Sequence, residues 1–180
     1  MLVDCALARR DVSIGDLELV SRRRRRGAPA LRALLPLADA RSESPWESIM
    51  RLLHHAAEIR VTPQHEIHDR RGGFVARVDL LVDGTRRIHE YDGAEHRTPE
   101  SQDADLTRSR ALSREGWDRH GFTSRHLLHD GARIIRATDE LLGRPWEIRR
   151  FRAWEAALNA SALRRPGWRR LESRWTSEVR

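Results

Sequence analysis

The residues of this chain best suited to chemistry are three carboxylates around a predicted β-hairpin turn. Asp79 precedes the Asp-Gly pair at 83–84, and Glu90 and Asp92 follow it. An Asp-Gly pair favours a two-residue hairpin loop because both of its residues tolerate positive φ angles. Side chains alternate between the two faces of a strand, so this loop places the three acids on one face.

The same loop length predicts the spacing of the acids. Asp79 would face Ile88, which makes Asp79 and Glu90 diagonal neighbours, roughly 7–8 Å apart at the backbone. Two carboxylates at this spacing can bind one Mg²⁺, which takes oxygen ligands at about 2.1 Å. Asp92 is either a third ligand or the end of the strand at an Asp-Gly turn. A three-residue loop would instead flip the third strand and separate Glu90 from Asp79.

The polar residues of the third strand do not fit this register. The segment 74–82 alternates so that Phe74 and every second residue after it form a wholly apolar face. The predicted pairing puts Arg87, His89 and Tyr91 on that apolar face. An edge position, a bulge or a different loop length would accommodate these polar residues.

Composition narrows the class of partner. The chain has 180 residues and a net charge of +7, and all 34 basic residues are arginine. Arginine binds phosphate bidentately, so DNA is the predicted partner, although a bias towards arginine codons explains the same balance. Cys5 is the only cysteine, which excludes an internal disulfide and a cysteine-rich zinc site. The sequence has neither a membrane-spanning run nor a secretory pattern, so a cytoplasmic protein with no membrane partner is expected.

The order of elements predicts an α/β fold. A helix begins at Ser44-Pro45-Trp46-Glu47, where serine caps and proline takes the first helical position. Three strands form an antiparallel meander, and a crossover helix leads to a fourth, parallel strand. We predict a mixed four-stranded sheet flanked by helices, with strands at 62–68, 74–82, 86–92 and within 117–127, and helices at 100–115, 130–142 and 147–163. The predicted division is a lead-in or linker at 1–43, a core at 44–143, and a C-terminal helix with a basic tail at 144–180.

These residues, taken in order, resemble the PD-(D/E)XK, or restriction-endonuclease-like, superfamily. The similarity is closest to a branch akin to very-short-patch-repair endonucleases, the domain of unknown function number 559. It rests on Ser-Pro-Trp-Glu-Ser-Ile-Met-Arg at 44–51, Val-Asp at 78–79, Glu-Tyr-Asp-Gly-Ala-Glu-His at 90–96, and the Asp-x-x-Arg helix ending in Gly-Trp at 105–117. It covers about residues 42–130.

The resemblance implies a Mg²⁺- or Mn²⁺-dependent endodeoxyribonuclease or nickase. Asp79 and Glu90 would hold the cation, with Asp92 as a further ligand. Glu47 would face the site from its helix, in addition to or instead of closing a capping box. His96 would carry protons, unless it is a surface histidine. Arg51 is interpreted as an ion-pair partner of Glu47 in preference to a phosphate contact. Asp105 and Arg108 are interpreted as an i,i+3 surface pair in preference to residues of the site.

One departure from the superfamily pattern leaves two other functions open. The lysine expected two residues after the second acid is replaced by Asp92. This favours a non-catalytic DNA-binding or regulatory module, such as a toxin–antitoxin component, that retains the fold. A third interpretation is a module that binds only a protein, through its C-terminal helix. In the related proteins the domain follows a winged-helix region, so residues 1–43 would be the linker of a shortened chain.

Overall fold

A four-stranded mixed sheet organises the molecule. The computed structural model describes the backbone of residues 1–93 and 99–178, and the side chains of 1–93 and 103–173. The strands are β1 (Val61–His68), β2 (Phe74–Val82), β3 (Arg87–Tyr91) and β4 (Asp118–Phe122), in that spatial order. β1, β2 and β3 are antiparallel neighbours, and β4 runs parallel to β3. The predicted mixed sheet is confirmed.

Helices precede, interrupt and follow the sheet. α4 leads into β1, α5 is the crossover between β3 and β4, and α6 to α9 follow β4. Their bounds are α1 (Leu2–Ala8), α2 (Ile14–Ser21), α3 (Ala28–Leu34), α4 (Pro45–Ala56), α5 (Pro99–Arg114), α6 (Ser124–His129), α7 (Gly131–Leu141), α8 (Ile148–Ala160) and α9 (Arg165–Glu178), with a 3₁₀ turn at Leu35–Leu37. Within the described part of the chain, no helix is both long enough and apolar enough to cross a bilayer.

The start of α4 is as the sequence predicts. The Ser44 hydroxyl accepts a hydrogen bond from the Glu47 amide at 3.2 Å, which satisfies one of the free donors of the first turn. The Glu47 carboxylate does not return to Ser44; it accepts from the Glu43 amide at 2.8 Å. Further along the helix, Met50 and Leu53 are fully buried against the sheet. α4 therefore fixes Glu47 at one end through its cap and through the core beneath it.

The hairpin between β2 and β3 corrects the predicted register. Leu80 pairs with His89 and Leu81 with Ile88, so Asp79 does not face Ile88. Continuing the ladder by one residue places Asp79 opposite Glu90. The turn is where the sequence predicts it, because the Thr85 amide donates to the Val82 carbonyl at 3.2 Å. The strands pair only beyond it, so the loop has four residues, 83–86, rather than two.

Hydrogen bonds made by the side chains of Thr85 and Asp83 explain the longer loop. The Thr85 hydroxyl donates to the Val82 carbonyl at 2.8 Å and accepts from the Arg87 amide at 2.9 Å. Asp83 is held from β1 by the Thr62 hydroxyl at 2.8 Å. The two-residue slip preserves which face each side chain occupies, because the side-chain period is two.

The polar residues on the apolar face of the sheet have specific partners. His89 is 1% exposed, and its Nδ1 lies 2.9 Å from Nε2 of His54 on α4. Tyr91 stacks on Trp46 with ring centroids 5.7 Å apart. Arg87 bonds to Asp118 on β4 at 2.6 Å. No bulge in β3 is needed to accommodate them.

The segment before α4 is helical and attached to the core. Asp4 of α1 is 2% exposed and binds Arg51 of α4 at 2.9 Å. It also accepts from the Asp39 amide at 3.0 Å. The interpretation of Arg51 as the partner of Glu47 is therefore wrong, since its guanidinium points to α1. The segment at 165–178, predicted as a tail, is the helix α9.

Candidate functional site

A polar cavity of about 240 Å³ lies beside the carboxyl end of β3. Four structural elements contribute its charged side chains: the paired strands β2 and β3, the crossover helix α5, and β4. The lining residues are Asp79, Glu90, Tyr91, Asp92, Gly93, Asp105, Arg108 and Arg119. The three predicted metal ligands thus share one cavity, together with two arginines.

Asp79 is the acid in this cavity whose charge is least compensated. Its Oδ2 accepts a hydrogen bond from the Tyr91 amide at 2.8 Å, across the β2–β3 pair. Burial, together with the nearby charges of Glu47 and Glu90, raises the pKa of Asp79 to about 6, although the Tyr91 hydrogen bond and Arg108 act to lower it. At neutral pH this carboxylate is ionised in a setting that disfavours its charge. A cation bound beside it would relieve that cost.

Glu90 is buried and fully paired. It is 3% exposed; Arg108 of α5 binds its Oε1, and Arg119 of β4 binds its Oε2. A carboxylate tolerates burial when it is paired with opposite charge and its oxygens are hydrogen-bonded. Glu90 meets both conditions. The two acids at the centre of the site therefore differ: Glu90 has two cationic partners, and Asp79 has a backbone amide.

Arg119 is held by more side chains than Arg108. Besides Glu90, it contacts Asp105 at 3.0 Å and donates to the Ser109 hydroxyl at 2.7 Å, both on α5. Burial lowers the pKa of Arg119, but the bonds to Glu90 and Asp105 raise it above its usual value on balance. Arg108 donates its second bond to the Arg77 carbonyl at 2.6 Å. The expected pair of Asp105 with Arg108 is wrong, because each binds a different partner across the cavity.

Asp92 lies at the open edge of the site. Its amide continues the ladder by donating to the Phe122 carbonyl at 2.9 Å, and its side chain is 33% exposed. The carboxylate lies over Gly121 of β4, where an added Cβ would come within 1.8 Å of Oδ2. Its nearest cation is Arg119, at 3.7 Å. Glycine at position 121 is thus what permits Asp92 to reach this cavity.

Glu47 is held by a residue with an uncommon backbone. Its Oε2 accepts from Gln64 Nε2 at 2.8 Å, and Gln64 has a φ of 50° in the middle of β1. In the β1–β2 register, Gln64 falls at the position opposite Asp79. A left-handed backbone costs a non-glycine residue about 1–2 kcal/mol. Glu47 therefore lies close enough to Asp79 for its charge to raise the pKa of that acid, but it is not among the residues that line the cavity.

The other sequence predictions divide into three groups. His96 lies outside the described residues. Arg108 was interpreted first as a surface residue, with a site role as the second choice, and Arg119 and Gln64 were missed. A parallel β4 next to β3 would have placed every second residue of β4 on the face of Glu90, but the register that selects Arg119 is not encoded locally.

The donor set suits a hard divalent cation, yet the arginines compete with it. Every acidic donor in the cavity is a carboxylate oxygen, which Mg²⁺ and Mn²⁺ prefer. Among the residues that the structure describes, no group of three or more His, Cys, Asp and Glu side chains is arranged to hold a metal ion. Both oxygens of Glu90 are bound by guanidinium groups.

Comparison with known proteins yields relatives without an assigned function. An uncharacterized protein of Mycobacterium tuberculosis strain CDC 1551 / Oshkosh is 36% identical over 120 residues, which are 64% of this chain and 44% of that protein. An uncharacterized protein of strain ATCC 25618 / H37Rv gives the same values. The chain therefore spans less than half the length of these curated relatives. No family model matches the chain, and no solved structure gives a significant match.

Proposed function

We propose that this protein is a metal-dependent DNA endonuclease or nickase that hydrolyses phosphodiester bonds. The observation that carries the proposal is the cavity in which Asp79 lies opposite Glu90 on adjacent strands, with guanidinium groups beside them. Paired carboxylates suit a divalent cation, and guanidinium groups suit a phosphate. A site with both is suited to phosphoryl chemistry.

The residues of the chain would divide the work as follows. Asp79 and Glu90 would hold Mg²⁺ or Mn²⁺, with Asp92 reaching it from the edge. The cation would supply an activated water and stabilise charge on the phosphoryl group. Glu47 would act on Asp79 through its charge, which contributes to the raised pKa of that acid. His96 remains a candidate proton carrier.

The DNA partner and the compartment are part of the same proposal. All 34 basic residues are arginine, in a chain of net charge +7, which favours binding to a phosphate backbone. Cys5 is a free, exposed thiol, as expected in the reducing cytoplasm.

A second candidate function has its own support. Both oxygens of Glu90 are bound by arginines, and the position of the superfamily lysine is occupied by Asp92. A module that binds DNA without cleaving it, in a regulatory or toxin–antitoxin role, would keep such a closed arrangement. It predicts salt-sensitive DNA binding that survives alanine at Asp79 and Glu90.

Plasmid cleavage with and without Mg²⁺ or Mn²⁺ separates the two functions. The proposed nuclease converts supercoiled plasmid to nicked or linear DNA only with the cation, and Asp79→Asn and Glu90→Gln each lower the rate by about 10³-fold. Asp118→Asn is the matched control, because Asp118 is an exposed acid on β4 that pairs with Arg87. Full activity of Asp79→Asn, or no cleavage by the wild type with either cation, would contradict the nuclease proposal.

A further inference from the structure

We infer that Arg108 is a phosphate-binding residue that Glu90 holds until a cation displaces it, while Arg119 stays in place as the fixed positive charge of the site. The inference rests on the proposed function and assigns separate roles to the two arginines. It begins from the occupancy of Glu90, whose Oε1 and Oε2 are each bound by one guanidinium.

A cation that binds Glu90 would disturb its ion pairs with Arg108 and Arg119. A divalent cation binds a carboxylate oxygen at about 2.1 Å and would come within a few ångströms of both guanidinium groups. Like charges at that separation repel strongly in a partly buried site. We therefore expect one guanidinium to leave Glu90 when the cation binds, and to carry its positive charge with it.

The contacts of the two arginines identify Arg108 as the one that leaves. Arg119 side-chain exposure is 20%, and its other bonds, to Asp105 and Ser109, do not involve Glu90. Arg108 is 33% exposed, and its one other bond is to the Arg77 carbonyl. After losing Glu90, Arg119 keeps a carboxylate partner, whereas Arg108 keeps a neutral one.

The released Arg108 guanidinium would remain at the cavity. It lines the same cavity as Asp79 and Asp92, and it is attached to α5 at the solvent side. A phosphate bound to the cation would present oxygens there, and guanidinium groups bind such oxygens bidentately. Arg119 would meanwhile supply the positive charge that the superfamily pattern places at position 92, since it lies 3.7 Å from Asp92.

The inference predicts effects of opposite sign from one substitution. Arg108→Gln removes a competitor of the cation, so Mn²⁺ should bind about tenfold more tightly in calorimetric titration. The same variant loses a phosphate ligand, so its affinity for a short DNA duplex in Ca²⁺ should fall about tenfold. Without a cation, Arg108 remains on Glu90, and the variant should bind the duplex within about twofold of wild type.

Two variants complete the experiment. Arg110→Gln is the matched control, because Arg110 is exposed on the same helix and removes the same charge. It should change neither Mn²⁺ affinity nor the Ca²⁺ dependence of DNA binding. Arg119→Gln should weaken duplex binding both with and without Ca²⁺, since its charge is fixed. Thermal unfolding of each variant identifies any loss of folding.

The outcomes separate this inference from the proposed function. Mn²⁺ binding by Arg108→Gln that is equal to or weaker than wild type overturns the inference, and the nuclease proposal then stands if Asp79→Asn still abolishes cleavage. Equal loss of duplex affinity by Arg108→Gln and Arg110→Gln also overturns it. If neither wild type nor Arg108→Gln binds Mn²⁺, the inference and the metal-dependent function fail together.

Discussion

The two faces of β3 bury polar residues in opposite ways. Glu90 and His89 are adjacent in sequence, and they are 3% and 1% exposed. Towards α5, Glu90 is surrounded by charged arginines at the edge of an open cavity. Towards α4, His89 bonds to His54, which is fully buried in the core. One strand therefore carries a charged arrangement on one face and a neutral one on the other.

The face of β3 that carries His89, here called the histidine face, finds hydrogen-bond partners within the protein. His54 Nδ1 lies 2.8 Å from the Met50 carbonyl, which can only accept, so this nitrogen donates. Its Nε2 must then accept from His89 Nδ1. Burial lowers the pKa of His54 to about 4, and burial together with the His54 and His120 charges lowers that of His89 further. Both rings are neutral at physiological pH.

The opposite face of β3, which carries Glu90 and is here called the carboxylate face, leaves the charge of the neighbouring Asp79 uncompensated. Asp79 keeps a raised pKa although the charge of Arg108 acts to lower it. The difference indicates that the histidine pair serves the packing of α4 on the sheet. In the proposed function, the acids and arginines would instead take a ligand that compensates the charge of Asp79.

The largest expected effect is acid sensitivity of the histidine face. Because the folded pKa values are depressed, the stabilisation is complete above about pH 6.5 and is lost as pH falls towards 4. The free energy of unfolding from urea titrations should therefore drop by about 3 kcal/mol or more between pH 7 and pH 4.5. The double variant His54→Leu/His89→Phe should flatten this slope. An unchanged slope would place the acid sensitivity elsewhere.

The opposite sign is expected on the carboxylate face. The raised pKa of Asp79 means that its ionisation opposes folding above about pH 6, and this cost disappears as pH falls below 3.8. Asp79→Asn should thus raise the free energy of unfolding by about 2 kcal/mol at pH 7.5, with the gain vanishing near pH 4. The control Asp118→Asn, at an exposed acid, should show no such gain. A less stable Asp79→Asn protein at pH 7.5 would contradict this description of the site.

Substitutions at Gln64 test the contact that holds Glu47 near Asp79. Both Gln64→Ala and Gln64→Gly remove the hydrogen bond to Glu47, but only glycine relieves the left-handed backbone. The glycine variant should therefore be more stable than the alanine variant by about 1 kcal/mol in urea unfolding. Equal stabilities, or a more stable alanine variant, would show that the backbone of Gln64 carries no strain.

The smallest expected effect concerns the edge of the site. Gly121→Ala places a Cβ 1.8 Å from Asp92 Oδ2 and should turn that carboxylate away. Mn²⁺ affinity should fall about threefold, a change of under 1 kcal/mol. Gly93→Ala is the control, because among the described residues its added Cβ meets only the Tyr91 ring, at 3.5 Å. Unchanged Mn²⁺ affinity in Gly121→Ala would remove Asp92 from the set of ligands.

Local patterns predicted the elements and the acids of the site. Alternation predicted β2, the serine cap predicted the start of α4, and the Asp-Gly pair located the hairpin turn. The register of β3 was wrong because Thr85 and Asp83 form side-chain bonds that lengthen the loop. That error happened to preserve the faces, so Asp79 and Glu90 still share one cavity.

The partners of the acids could not be read from the sequence. Arg119 meets Glu90 only because β4 is aligned in parallel with β3, with Arg119 beside Ile88. Gln64 reaches Glu47 from a strand that follows α4 in the chain. His54 meets His89 although 35 positions separate them in the sequence. Each contact depends on tertiary alignment that no local spacing specifies.

Calorimetric titration of Mn²⁺ into wild type and Asp79→Asn at pH 7.5 is the sharpest test of the proposed metal site. We expect saturable binding by the wild type and at least about tenfold weaker binding by the variant, because Asp79 is the acid of the cavity without a cationic partner. Absence of binding by the wild type, or equal affinities for the two proteins, would contradict the assignment of this face as a metal site.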